Sequence, residues 1–282
     1  MSRTLITDAQ NTWCPGCGNF TIQFALRNAI QNLVKEGVPL ETIVLVTGIG
    51  CHAKMADYLN INSFYSIHGR TIPVATGIKL ANPELTVLCC TGDGDAYAEG
   101  LDHLVFAAKR NSHITVIVHN NRVYGLTTGQ YTPTSPLGFR GRSTPGGTIE
   151  APFNPLSLML TSGAGFVARG TSRKMRELED LISQGLRHRG FAFIDVLQVC
   201  ATYFNTSEVY DRQGYALSDH DPADFEAACR KAQEWDYNRD APIALGLFFR
   251  QEKPVFEEQF PRRSMTPVDR GKAIQAILDA KR

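Results

Sequence analysis

The chain of 282 residues carries a net charge of +1 and is 43% hydrophobic. That balance excludes a basic surface for nucleic acid and a self-repelling disordered chain, and it supplies the apolar area for one large core. No apolar run approaches the ~20 residues of a membrane span, and the opening MSRTLITDAQ lacks the basic-then-apolar pattern of an export signal, so a cytoplasmic protein without membrane partners is expected. A helical repeat of Ile22, Leu26, Ala29, Ile30 and Leu33 comes first, and Gly37 can stop it. Strand patterns over 42–47, 63–66, 85–91, 113–119, 165–169 and 191–199 then alternate with helix-length patterns over 70–80, 95–110, 154–162 and 172–189. Alternation with near-continuous apolar strands predicts an α/β fold, a doubly wound and mostly parallel sheet covered on both faces. Residues 120–155, rich in Gly, Thr and Pro, form a loop too long for a plain connector. Past residue 235 the composition shifts to a strand pattern over 243–249 and then to charged, proline-containing sequence. The organisation expected is one α/β domain over 1–235 and a C-terminal extension over 236–282 that packs on a partner subunit.

Ligands of such sheets gather at the carboxyl ends of the strands. There the chain places GIGC, HGR, GDGD, NNRVYG and QVC. Gly92 and Gly94 let backbone approach an anion closely, and Asp93 between them can hold a cation that bridges to it. Magnesium suits that layout, taking oxygens from one or two carboxylates and a phosphate. Gly-Asp-Gly alone is most often a turn. The Asp93/Asp95 spacing also permits an EF-hand start, but Tyr97, Ala98 and Leu104 occupy its later positions. No G-x-G-x-x-G opens a helix here for a nicotinamide cofactor. Taken with Asn120-Asn121, where Asn121 falls 28 positions after Asp93, the stretch resembles the thiamine diphosphate fingerprint. That resemblance implies magnesium ligation by Asp93, Asn121 and the backbone carbonyl of Val123.

Seven cysteines in a chain of this length read as thiols of a reducing compartment. Cys14-Pro15-Gly16-Cys17 alone leaves a redox pair, a zinc site and an iron–sulfur site open. Cys51 and Cys200 each follow a strand on the ligand side, giving four thiolates, enough for zinc or for a [4Fe–4S] cluster. Zinc would be a redox-inert staple; beside the phosphate loop, iron would have a short electron path. Cys89, Cys90 and Cys229 read as packed thiols.

The segments WCPGCGNF, GIGCHAKM, HGRTIPVATGIKLANP, GDGD, HNNRVYGLTTGQYTPTS and DVLQVC, in that order over residues 11–205, resemble the β subunit of the 2-oxoacid:ferredoxin oxidoreductases. The resemblance implies a [4Fe–4S] cluster on Cys14, Cys17, Cys51 and Cys200. It implies thiamine diphosphate lined by Ile49, Gly50, Cys51, His52, His68, Gly69 and Arg70, with Gly92, Asp93, Gly94 and Asp95 at the diphosphate and Gly125 and Leu126 in the YGLT segment. Leu126 would wedge the cofactor into its bent form, Lys54 would face the substrate carboxylate, and His52 would join them as a catalytic residue. The implied reaction is oxidative decarboxylation of a 2-oxoacid to acyl-CoA and carbon dioxide, with electrons leaving through the cluster to ferredoxin. HAKMADYLN is nearer the 2-oxoglutarate type than the pyruvate type. The family's α subunit, with a pyrimidine-binding domain and a catalytic glutamate, is implied as partner in an (αβ)2 complex, because no second domain of that kind fits in 282 residues. One departure is Glu99, which stands where relatives carry a small residue, while His103 is retained. The competing readings are a non-oxidative thiamine diphosphate decarboxylase or carboligase, and a zinc-stapled scaffold subunit.

Overall fold

The computed structural model describes residues 4–260 and 270–280; residues 261–269 and 281–282 of the expected extension lie outside the described residues. Helix α1 (Asn19–Lys35) buries the predicted apolar stripe and ends where Gly37, at φ +102°, takes the left-handed position that stops a helix. There follow β1 (Ile43–Thr47), the short α2 (Met55–Tyr58), β2 (Asn62–Tyr65), α3 (Thr71–Ala81), β3 (Thr86–Gly92), α4 (Leu101–Arg110) and β4 (Thr115–Asn120). The long loop runs to α5 (Pro155–Thr161), which starts where Asn154 accepts the Ser157 N–H at 3.2 Å and Pro155 presets the first turn. Then come β5 (Phe166–Thr171), α6 (Met175–Arg187), β6 (Ala192–Leu197), α7 (Ser207–Gln213), β7 (Gly214–Ala216), α8 (Phe225–Gln233), β8 (Ile243–Arg250) and α9 (Arg270–Asp279).

Among the described residues eight strands join one sheet in the order β2-β1-β3-β4-β6-β5-β8-β7. Strands β1 to β6 are parallel, β8 lies antiparallel to β5, and β7 pairs parallel with β8. The six expected parallel strands are present. Strand β7 carries too short a pattern to be read from sequence, and β8, from the segment past residue 235, sits inside the sheet. Strand alternation sends Leu45, Leu88, Cys90, Ile117 and Ile194 into a layer with α1 and α6. It sends Val46, Val87, Cys89, Val116 and Phe193 into a second layer with α3, α4, α5 and α8. Each wholly buried aliphatic side chain contributes about 1.5–3 kcal/mol. Cys89 and Cys90 are fully buried, one in each layer. Among the described residues no helix is long and apolar enough to cross a membrane.

The helix expected over 95–110 is not continuous. Asp95–Glu99 forms a π turn, Gly100 breaks it, and α4 begins afterwards. The wider turn accompanies two inward side chains: Asp95 accepts the Gly69 N–H at 2.7 Å, and the Tyr97 hydroxyl donates to buried Asp195 at 2.7 Å. At the far edge β2 is exposed along its whole length, and Phe64, Tyr65 and the following Ile67 show 50, 42 and 70% of their surface.

At the amino ends of the strands two histidines are held neutral. Burial pushes His113 and His188 down to about 4 from 6.5, and neither ring nitrogen of His188 has a hydrogen-bond partner. In the unfolded chain each ring takes its proton near 6.5, whereas the folded chain resists until about 4, so stability is full above 6.5 and drains as pH falls. Between pH 6.5 and about 5 the loss is on the order of 1 kcal/mol per ring. Thermal melts should show the midpoint falling over that range, and the His113→Gln/His188→Leu double variant should show a flatter profile than the parent.

Candidate active site

The carboxyl ends of β1, β3 and β4 open into a cleft of about 480 Å³. Its walls include Ile49, Gly50, Cys51 and His52 after β1, His68 after β2, Gly92 to Asp95 after β3, and Asn121, Val123, Gly125 and Leu126 after β4. The geometry thus brings together most of the residues marked by sequence. Gly69, Arg70 and Lys54 fall outside this wall. Gly69 instead donates its N–H to Asp95. Arg70 folds back so that Nη1 donates to the carbonyls of Gly69 and Glu99, both at 3.2 Å. His103 lies on α4, 4.0 Å from its neighbour Asp102.

Asp93 is 2% exposed. Its Oδ2 accepts the hydroxyl of Thr132 at 2.5 Å and lies 2.9 Å from the hydroxyl of Thr134, both from the loop after β4. Burial pushes its carboxyl up to about 6 while the threonines pull the other way. A buried carboxylate anchored through Oδ2 by two threonines is suited to a cation. The Asn121 Oδ1 accepts the Val123 N–H at 3.1 Å, a turn that sets the Asn121 amide and the Val123 backbone beside Asp93. Asp95 is also buried, and burial works against its charge. His52 and the Gly69 N–H more than offset that and hold it below the usual carboxylate range. Glycine is required at position 48, because a Cβ there would fall 1.5 Å from Asp95 Oδ2.

The inner wall carries a residue that sequence reading missed. His119, the penultimate residue of β4, is 1% exposed, with Nδ1 2.7 Å from Asn19 Oδ1 and Nε2 without a partner. Burial, with His52 adding, holds its ring far below the ordinary histidine value and therefore neutral. His52 Nε2 lies 3.3 Å from Asp95 Oδ2 but out of line for a hydrogen bond. The unpartnered, buried Nε2 of His119 is what a polar ligand in the cleft would relieve. Tyr124 also went unread: its hydroxyl donates to Glu99 Oε1 at 2.9 Å, tying the YGLT loop to the π turn. The clues were adjacency alone, His119 preceding the Asn pair and Thr132 and Thr134 standing in TPTS.

A second cleft adjoins the first and is lined by Cys14, Cys17, Cys51 and Cys200 with Trp13, Lys54, Gln198 and Tyr203. The CxxC folds as a turn, Cys17 N–H to Cys14 carbonyl at 3.1 Å. Trp13 Nε1 donates to the Cys51 carbonyl at 2.7 Å, and Gly18 N–H to the Val199 carbonyl at 2.9 Å, so three distant segments meet at one rim. Gln198 Nε2 approaches Cys17 Sγ at 3.5 Å. Burial pushes the Cys17 thiol up to about 11, and Cys51, Cys200 and Cys14 add to the rise. A tetrahedral zinc needs sulfurs about 3.8 Å apart. Among the described residues the donor groups lying within 4.8 Å of one another do not include these cysteines. No three of these sulfurs are thus mutually within 4.8 Å, and four thiols from three segments are a donor set chemically suited to zinc or to an iron–sulfur cluster. The two clefts share Cys51, Asn121, Gly125 and Leu126. A single point, the place of a Cβ on Gly125, lies 3.7 Å from Asn121 Nδ2 and from the sulfurs of Cys51 and Cys200.

A mostly parallel sheet with a glycine-flanked carboxylate and an Asn turn at adjacent strand ends defines a thiamine diphosphate-binding α/β unit. Residues 48–196 match the family described as thiamine pyrophosphate enzyme, C-terminal TPP binding domain, and residues 200–264 match the family described as the C-terminal part of the pyruvate ferredoxin oxidoreductase beta subunit. The chain is 40% identical, over 95% of its length and 91% of the relative's, to 2-oxoacid:ferredoxin oxidoreductase subunit beta of Saccharolobus solfataricus. It is 43% identical, over 70% of its length and 52% of the relative's, to 2-oxoglutarate oxidoreductase subunit KorB of Mycobacterium tuberculosis. The fold matches that of 2-oxoglutarate:ferredoxin oxidoreductase from Magnetococcus marinus, solved with 2-oxoglutarate, coenzyme A and succinyl-CoA bound, with a TM-score of 0.87 and 31% identity over 96% of this chain and 94% of that one. The chain belongs to the β-subunit family of the 2-oxoacid:ferredoxin oxidoreductases.

Replacing Asp93 by Asn should weaken thiamine diphosphate binding by roughly 100-fold, about 2.7 kcal/mol, and remove its dependence on a divalent cation. Calorimetric titrations with and without EDTA measure this. The melting midpoint of the unliganded variant should hold or rise, since a neutral amide is cheaper to bury than a charge.

Proposed function

We propose that this chain is the thiamine diphosphate-binding subunit of a coenzyme A-acylating 2-oxoacid:ferredoxin oxidoreductase acting on 2-oxoglutarate. The observation that carries the reading is the wall common to the two clefts, in which Asn121 and the sulfurs of Cys51 and Cys200 surround Gly125. Thiamine diphosphate, when bound, would supply an electron sink for decarboxylation, and a [4Fe–4S] cluster a one-electron outlet towards ferredoxin. A non-oxidative thiamine diphosphate enzyme has no use for four thiols beside the cofactor, and a redox-inert zinc staple has no use for a wall shared with it.

Within that reading Asp93, Asn121 and the Val123 carbonyl hold magnesium, and the anchoring of Asp93 Oδ2 by Thr132 and Thr134 keeps the other oxygen turned to the ion. His52 and His119 form the inner wall, and Asp95 orients His52. Leu126, half exposed and common to both clefts, shields the shared wall from water and sets the cofactor's bend. Lys54, whose Nζ donates to Thr12 Oγ1 at 2.7 Å beside Cys14 and Cys51, is the cation assigned to the substrate carboxylate. A separate α subunit is the source, in this reading, of the pyrimidine-binding domain and catalytic glutamate, in an (αβ)2 assembly, as the beta-subunit names of the relatives suggest. The exposed Phe64, Tyr65 and Ile67 beside His68 give such a subunit an apolar face to cover. The choice of 2-oxoglutarate rests on the names of the KorB relatives and on the ligands of the Magnetococcus marinus protein.

Anaerobically purified with an α subunit, the protein should be brown, with about four irons per β chain and 2-oxoglutarate-dependent viologen reduction exceeding that with pyruvate. The chain alone should reduce no viologen. Cys14→Ser and Cys200→Ser should lose iron and viologen reduction while retaining thiamine diphosphate binding. Zinc in place of iron, or robust turnover by the isolated chain, would overturn the assignment.

A further inference from the structure

Arg122, between the two residues assigned to the cation, has a backbone that arginine rarely adopts. Its φ is +63°, in the left-handed region where glycine is at ease and a long side chain is strained. It is nevertheless 5% exposed and held on every side. Its Nε donates to the Thr134 carbonyl at 2.8 Å and its Nη2 to the Tyr237 carbonyl. Its own carbonyl accepts the Ser135 hydroxyl at 2.7 Å. The guanidinium lies 5.5 Å from the centre of the Phe204 ring and 5.4 Å from that of Trp235. Tyr237 is itself a left-handed residue, at φ +64°, and stacks on Trp235 at 4.2 Å. The two strained residues are thus joined by one hydrogen bond.

We propose that Arg122 is a positioning residue that locks the Asn121–Val123 turn in its cation-binding shape, and that the Trp235–Tyr237 segment is the clamp that makes this conformation persist. The proposal rests on the reading of Asn121 and Val123 as cation ligands. Asn121 Oδ1 and Val123 N–H close their turn across Arg122, so its φ sets where both the Asn121 amide and the Val123 carbonyl stand relative to Asp93. A planar fork meets two carbonyls in fixed directions, which a single ammonium does not. The same side chain bonds the Thr134 carbonyl while the Thr134 hydroxyl reaches Asp93, so one guanidinium braces both halves of the cation site.

The test uses the αβ complex and titrates magnesium at fixed thiamine diphosphate, reading cofactor binding by calorimetry, with manganese paramagnetic resonance as a direct readout of the ion's coordination. Arg122→Ala should raise the half-saturating metal concentration about tenfold or more and leave the weak metal-free cofactor affinity unchanged. Arg122→Gly should recover part of the loss, because glycine takes a positive φ freely, whereas Arg122→Lys should stay close to the alanine variant. Trp235→Leu, which leaves Arg122 in place but removes a ring from beneath it, should give a smaller loss of the same kind and covers the case in which Arg122→Ala does not assemble. Wild-type metal affinity in Arg122→Ala or Trp235→Leu would overturn the proposal, as would equal losses with and without metal. If Asp93→Asn abolishes metal dependence while Arg122→Ala does not shift it, the positioning role fails alone; if Asp93→Asn has no effect, the cation site fails and the positioning role with it.

Discussion

A carboxylate sealed from water at the end of a central strand demands compensation, and much of the molecule is arranged around Asp93. Thr132 and Thr134 reach it from the loop after β4. The Thr134 hydroxyl is shared with Asn120 Oδ1 at 2.8 Å, and Asn120 Nδ2 donates to Asp195 at 3.0 Å. Asp195 in turn accepts from Tyr97 and Tyr237, and the Tyr237 hydroxyl lies 3.2 Å from Arg169 Nη2. A single polar network therefore runs from the ligand rim down into the sheet. Partly satisfied networks of this kind are expensive, and completion by a bound cation would stabilise the fold and load the site at once.

The features legible in the sequence were those with a period or a fixed spacing. Apolar runs of Leu85 to Cys90 and His113 to Val118 could be nothing but central strands, and their order with intervening helices gave the parallel sheet. The GDG and Asn-Asn stretches stand out because their separation spans one helix and one strand. Residues whose roles come from loop closure were not legible. Thr132 and Thr134 sit in an aperiodic loop, and only its folding back beneath β3 makes them partners of Asp93. His119 looks like any strand residue until its neighbour Asn19 arrives from α1. The π turn at Asp95–Glu99 has the apolar spacing of a plain helix, and the contacts that go with it, Asp95 to the Gly69 N–H and Tyr97 to Asp195, come from segments no local pattern can show.

The segment past residue 235 carries a related lesson. Composition set it apart from the domain, yet β8 lies within the sheet between β5 and β7, Tyr237 reaches back to Arg122, and Glu257 accepts the His113 N–H at 3.0 Å. Composition reports solvent exposure along the chain and is blind to where a few buried side chains return to the body.

The four rim thiols come from chain segments at residues 14–17, 51 and 200, and what aligns them is the indole of Trp13 on Cys51 together with the backbone tie between Gly18 and the end of β6. That gathering cannot precede the docking of β6, since Cys200 is delivered only when the sixth strand finds its place between β4 and β5. Synthesis from the amino terminus leaves the first three thiols waiting for most of the chain to emerge. A cluster on these thiols would therefore wait on topology, forming only after β6 has docked and so reporting that this part of the polypeptide has reached its native arrangement.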